Sequence, residues 1–180
     1  MLDIIAKGLA KVFGTKSDRD IKELLPIVTK INESFSGLKN LSDDQLRAKT
    51  GEIKAEINAH LKEFDDKIVA IRLKVDELPA KAIHEKDQLF NQIDQIEKDR
   101  NAALEVVLEK VLPVAFAVVK ETARRLKENG TLIVTANDRD RELSASKPNV
   151  EIQGEKAIWH NRWIAAGTEV VWDMLHYDVQ

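Results

Sequence analysis

The chain has 180 residues, 43% of them apolar and 33% charged, with a formal net charge of −3. That length suits one domain or one domain with an extension, and the Leu, Ile and Val content argues against disorder throughout. The mild acidity gives no electrostatic reason to expect a nucleic-acid partner, while the lack of cysteine excludes a disulfide framework or thiolate metal site and suits a reducing cytoplasm.

Seven glycines and four prolines leave room for long, uninterrupted helices. Leu2, Ile5, Leu9, Val12 and Phe13 recur at helical spacing, with Asp3, Lys7 and Lys11 off that face, which predicts a short amphipathic helix ending near Gly14. The acidic residue at position 3, the lysines and the lack of a continuous apolar run argue against a secretory signal. No segment approaches the roughly 18–20 apolar residues that span a bilayer, so the chain reads as soluble and not itself exported. Ser17-Asp18 then caps a second helix carrying Ile21, Leu24, Leu25, Val28 and Ile31, with Pro26 inside it and Ser36-Gly37 at its end.

Ser42 with Gln45 forms a capping box, and Leu41 is placed to staple against Leu46. From there Ile53, Ile57, Leu61, Phe64, Ile68, Ile71, Val75 and Leu78 follow one another in steps of four and three, close to a coiled-coil repeat. Pro79 breaks the run, and a second seam resumes with Leu89, Ile93, Ile96, Ala103, Val107 and Val111. Two apolar seams flanking one proline predict an antiparallel helical hairpin, because the short break gives pairing within the chain a high effective concentration. Pairing between chains, giving a homodimer, is the alternative.

A further helix is expected over roughly 104–126, ending at Gly130, after which Thr131–Thr135 is a β-branched strand candidate. Val150–Gln153 and Lys156–His160 flank Gly154-Glu155 as a hairpin. The alternating charges of Asn137–Glu142 read as a solvated turn. All three tryptophans (Trp159, Trp163 and Trp172) fall near the end and are expected to close a small core.

The chain carries no G-x-x-x-x-G-K-[ST] phosphate loop and no G-x-G-x-x-G, so ATP hydrolysis has no machinery within these residues. His60, His84, His160 and His176 are scattered without metal-ligand spacing, and the carboxylates Asp65, Asp66, Asp94 and Asp99 interleave with lysines as a solvated face. The N-terminal lysines admit two readings, contact with anionic lipid or an ordinary helix packed on its own protein.

Four stretches occur together and in order: Lys11-Val12-Phe13-Gly14 with the following Thr15–Arg19, Leu41–Thr50, Leu112-Pro113-Val114-Ala115-Phe116-Ala117-Val118-Val119-Lys120-Glu121, and Met174-Leu175-His176-Tyr177-Asp178-Val179-Gln180. In these the chain resembles the first part of the SecA family, ATP-driven motors of bacterial preprotein export. In that family the M-x-H-[FY]-D-V-Q stretch leads into the phosphate loop. Gln180 matches the glutamine whose amide, a donor and an acceptor together, contacts the adenine edge. Leu175 departs from the family, which often has a basic residue there.

The resemblance implies a parent that uses Mg-dependent ATP, with no cofactor expected for this chain alone. It implies partners in the membrane channel, anionic lipid and unfolded preprotein, a location on the cytoplasmic face of the cell membrane, and membrane or channel contact through Lys7, Lys11, Phe13 and Lys16. The expected organisation is N-terminal helices over 1–57, a helical-hairpin insertion over 58–108, a scaffold helix over 109–130, a strand-rich insertion over 131–173 and the adenine-side motif over 174–180. The fold expected is mainly α with a small β-hairpin region, and without the motor's parallel sheet. A free-standing helical interaction module is the alternative function.

Overall fold

The computed structural model describes residues 16–178, with side chains from Asp20 onward. Three long helices come first, α1 (Lys16–Leu38), α2 (Asp43–Glu77) and α3 (Ile83–Asn129). They are followed by β1 (Thr131–Thr135), a short α4 (Asp138–Ser144), β2 (Val150–Gln153), β3 (Lys156–His160), β4 (Arg162–Ala165) and β5 (Thr168–Val171). The fold is mainly α with a small β region, as expected. The expected amphipathic helix at Leu2–Phe13 lies outside the described residues.

The chain divides into two compact units, one formed by residues up to Leu46 with those from Phe116 onward, the other by Arg47–Ala115. The second unit is the helical hairpin. Leu61, Ile68, Ile71 and Val75 of α2 and Ile93, Val107 and Val111 of α3 are buried, the positions the stepped pattern picked out. Ile68, Ile71 and Ile93 form one cluster with Leu89 and Ile96 packed against it, so the seam closes within a single chain. Antiparallel pairing is marked along its flank by Arg72–Glu97 at 3.6 Å, Arg100–Asp65 at 2.6 Å and Lys110–Glu56 at 2.7 Å. These pairs are half-exposed and fix register more than they add stability.

One helix stands where two were expected. The segment ending near Val111 and the segment over 104–126 are continuous in α3, with Pro113 inside it. A proline inside a helix removes one backbone donor and crowds the carbonyl four residues earlier, and here the helix continues through it. Pro26 is carried inside α1 in the same way, and that helix runs to Leu38 rather than stopping at Ser36-Gly37.

In the first unit, Leu38, Leu46 and Ala117 are buried together, with Ile31, Phe35, Leu41 and Val118 against them. The Ser42 capping box forms, with Gln45 N donating to Ser42 Oγ at 3.2 Å and Ser42 N to Gln45 Oε1 at 2.8 Å. Gly130, at φ 72°, ends α3 in the left-handed region that favours glycine, its amide donating to Leu126 O at 3.0 Å.

Three antiparallel strands follow in the order β1-β3-β2, Leu132 and Val150 both facing Trp159 in register. β4 and β5 form a separate two-stranded sheet joined at Ala166-Gly167, both at positive φ. That pair of left-handed residues fits the tight hairpin turn whose twist matches the strands.

The expected solvated turn at Asn137–Glu142 is instead α4. Asn137 caps it, accepting from Asp140 N at 2.9 Å while Asp140 Oδ2 accepts from Asn137 N at 3.0 Å. Asp140 is buried and also accepts from Trp159 Nε1 at 3.1 Å, so one member of the charged run is a core group. Trp159 lies in the three-stranded sheet, Trp163 in β4, and Trp172 beside His176, with ring centroids 6.2 Å apart.

Candidate functional site

The residues of interest lie where the last described segment, 172–178, returns to α1 and α3. Its start is held by Asn161, which is buried. Trp172 N donates to Asn161 O at 2.6 Å, Asn161 Nδ2 donates to Trp172 O at 3.4 Å, and Asn161 N donates to Gly130 O at 2.9 Å. Its end is held by charge. Lys120 Nζ donates to Asp178 Oδ1 at 2.8 Å and to Asn32 Oδ1 at 2.9 Å, and lies 5.2 Å from the centre of the Phe35 ring.

Lys120 lies in about the eleventh turn of α3, inside its end at Asn129, and its side chain is only 14% exposed. Asn32 and Phe35, three apart on α1, present an amide oxygen and a ring face to the same ammonium. The Asp178 carboxyl is held below its ordinary value, first by the hydrogen bond from Lys120, then by Asn32 and the nearby positive charge. Asp178 is therefore an anion in the neutral range and a firm acceptor for Lys120.

One turn further along α3 is a second ionic cluster. Arg125 is 5% exposed and donates from Nε to Glu121 Oε1 at 2.7 Å and from Nη1 to Asp43 Oδ1 at 2.7 Å. Its Nη2 donates to the carbonyls of Leu38 at 3.1 Å and Leu41 at 2.7 Å, gripping the connection between α1 and α2. Glu121, fully buried, also accepts two bonds from Arg124 at 2.8 Å each. Burial pushes the Glu121 carboxyl up, but the bonds from Arg124 and Arg125 outweigh it and its pKa falls below the ordinary value. Asp43 and Asp44, at the start of α2, then reach β1. Ile133 N donates to Asp43 Oδ2 at 2.9 Å, and Thr135 donates to Asp44 from its amide at 2.7 Å and its hydroxyl at 2.8 Å.

Of the residues singled out from sequence, Gln180, Lys7, Lys11 and Phe13 lie outside the described residues, and Lys16 opens α1 with its side chain outside them. Sequence reasoning missed Lys120, Asn32 and Asp178 as a group. The signal was present: opposite charges stand in two of the four ordered stretches, Leu112–Glu121 and Met174–Gln180. Among the described residues there is no grouping of three His, Cys, Asp or Glu placed to hold a metal ion, and no helix is long and apolar enough to cross a membrane.

Comparison with known proteins bears on this geometry. The family model for the SecA DEAD-like domain matches residues 9–180, which include the segment anchored by Lys120. The chain is 55% identical over 172 residues to the protein translocase subunit SecA of Cytophaga hutchinsonii, covering 96% of this chain and 15% of that protein. It is 46% identical over 174 residues to that of Flavobacterium psychrophilum and 42% identical over 172 residues to that of Porphyromonas gingivalis strain W83, with the same coverage of 96% and 15%. Matches of that extent run through both the hairpin and the strand-rich segment, so these relatives carry counterparts of each. The chain spans about 15% of the length of these relatives. No solved structure matches it. With the family model matched from residue 9 to residue 180 and Met174–Gln180 in place, the chain belongs to the SecA family.

Proposed function

We propose that this chain is the N-terminal region of a SecA-type translocase, which couples ATP hydrolysis to moving unfolded preproteins through a membrane channel. The observation that carries this reading is the family match over residues 9–180, shared with relatives that are translocase subunits in which this stretch is 15% of the length. That proportion favours the translocase over a free-standing helical module.

In this reading Gln180 contacts the adenine edge, and Mg·ATP is bound by residues beyond this sequence. The helices of 1–57 and 109–130 are the scaffold, and 58–108 and 131–173 are insertions on it. The hairpin, with its closed seam, is suited to contact a partner. Lys7, Lys11, Phe13 and Lys16 meet anionic lipid or the channel at the cytoplasmic face of the membrane. Three or four such charges contribute about 1 kcal/mol each near an anionic surface, giving weak, salt-sensitive binding.

The test is ATP hydrolysis by the full-length protein, measured with and without channel-containing vesicles and an unfolded secretory protein. Stimulation by both together supports the translocase; a rate indifferent to both removes it. Exchange of Lys7, Lys11 and Lys16 for glutamine is expected to weaken binding to vesicles containing anionic lipid, and unchanged binding would remove the lipid contact.

A further inference from the structure

We propose that Lys120 is a positioning residue for the nucleotide site: by holding Asp178 it fixes where the main chain stands two residues before Gln180. This rests on the reading of Gln180 given above and adds to it the group that aims it.

Asn32 and Phe35 belong to α1, and Ile31 and Phe35 pack against the buried cluster of Leu38, Leu46 and Ala117. Lys120 lies three residues after Ala117 on α3. Lysine has four rotatable stem bonds, and fixing them costs conformational entropy. Here the amide oxygen of Asn32 and the ring of Phe35 already hold the ammonium. Asp178 therefore meets a cation whose place is set by the helical core, although Asp178 itself is 60% exposed. An ordinary surface ion pair would have two mobile ends; this one has a single mobile end, and that end belongs to the chain leading to Gln180.

The other anchor completes the arrangement. Trp172 is bonded through its backbone to Asn161. Residues 173–177 thus run between a backbone clamp and a charged one. Asp178 also bonds Asn32, so loss of the Lys120 contact loosens the end next to Gln180 by removing the stronger of its two side-chain bonds. The expected consequence is selective: a poorer adenine contact, with binding to the phosphates untouched.

The experiment uses the full-length protein with Lys120→Met, Lys120→Arg, Asp178→Asn and Gln180→Ala, titrated with MgADP and with MgGDP. Lys120→Met and Asp178→Asn are expected to weaken MgADP about two- to five-fold, the size an ion pair of this exposure carries, and to leave MgGDP unchanged. Lys120→Arg, which keeps the charge, restores discrimination. Hydrogen exchange of the peptide covering 174–180, followed by mass spectrometry, is expected to quicken in Lys120→Met. Equal weakening of both nucleotides, with a lowered unfolding midpoint, would mean a merely structural lysine and overturn the proposal, as would unchanged exchange in that peptide. If Gln180→Ala leaves the ADP-to-GDP ratio unaltered, the adenine role of Gln180 fails, and the proposal that Lys120 aims it fails with it. If Gln180→Ala alters the ratio and Lys120→Met does not, only the positioning role falls.

Discussion

Replacing Arg125 with methionine tests how far one buried guanidinium holds the first unit together. The side chain is 5% exposed and bonds two carboxylates and two backbone carbonyls. Methionine preserves most of the stem packing and removes all four bonds. Leu38 O keeps the bond from Leu41 N at 3.1 Å, while the Leu41 carbonyl loses the donor from Arg125 at a cost of about 1–3 kcal/mol, reduced where water can reach it. Stranding a buried carboxylate costs about 3–5 kcal/mol, but Glu121 keeps both bonds from Arg124, so only part of that applies. The net expectation is a loss of about 3 kcal/mol.

All three tryptophans lie in the same unit as Arg125, so intrinsic fluorescence in a urea titration reports it directly. With a urea slope of about 2 kcal/mol per molar, the midpoint should fall by about 1.5 M. Arg124→Met is the control. It loses the same carboxylate partner but grips no backbone carbonyl, and should cost about 1 kcal/mol. Arg125→Lys should not recover the loss, because an ammonium lacks the planar fork that reaches all four acceptors. Equal midpoints for Arg124→Met and Arg125→Met would refute the reasoning, since the grip on Leu38 and Leu41 would then carry no energy.

Acid should weaken the same unit in a defined window. The pKa of Glu121 in the folded chain is depressed, so its contribution is full above the ordinary value of 4.5 and is lost as pH falls through the lower folded value. Glu121→Gln should flatten the fall of the fluorescence-detected midpoint there, and an equally steep fall would remove Glu121 as the cause. In the hairpin, Ile93→Ala should cost about 2–4 kcal/mol by far-ultraviolet circular dichroism. The half-exposed Phe90→Ala should stay within about 0.5 kcal/mol, and similar losses would mean the seam is misplaced. Asp44→Ala should speed amide exchange at Thr135, whose amide and hydroxyl both donate to that carboxylate. Unaltered exchange would show the contact absent in solution.

The periodic parts of the chain were legible because their physics is local. The three-and-four stepping of Ile53–Leu78 located the buried face of α2, and Ser42 with Gln45 located its start. The hairpin at Gly154-Glu155 was readable from its turn for the same reason. The misses come from interactions distant in sequence. The charged run at Asn137–Glu142 hid a helix because Asp140 turns inward to Trp159, nineteen positions away. The β4–β5 hairpin has neither strong alternation nor an Asn-Gly turn; Ala166 takes a left-handed conformation that its identity does not advertise. The Lys120–Asp178 pair joins residues 58 apart, and nothing in the spacing of either stretch names the other. The family resemblance located both stretches but not their contact.

The grip of Arg125 on Leu38 and Leu41 has a consequence for the order of assembly. Those contacts join residues 87 and 84 positions apart, so the first unit must bring together two distant stretches of chain. Closing a floppy loop of about seventy residues would cost about 4 kcal/mol of entropy before any contact repaid it. The intervening stretch is not floppy once its seam has zipped, because α2 and α3 pair as neighbours across the short turn at Pro79. Leu46 and Ala117, which flank that stretch in sequence, pack together. A hairpin that pairs before the first unit closes would leave a shorter, more local step for joining Leu46 and Ala117.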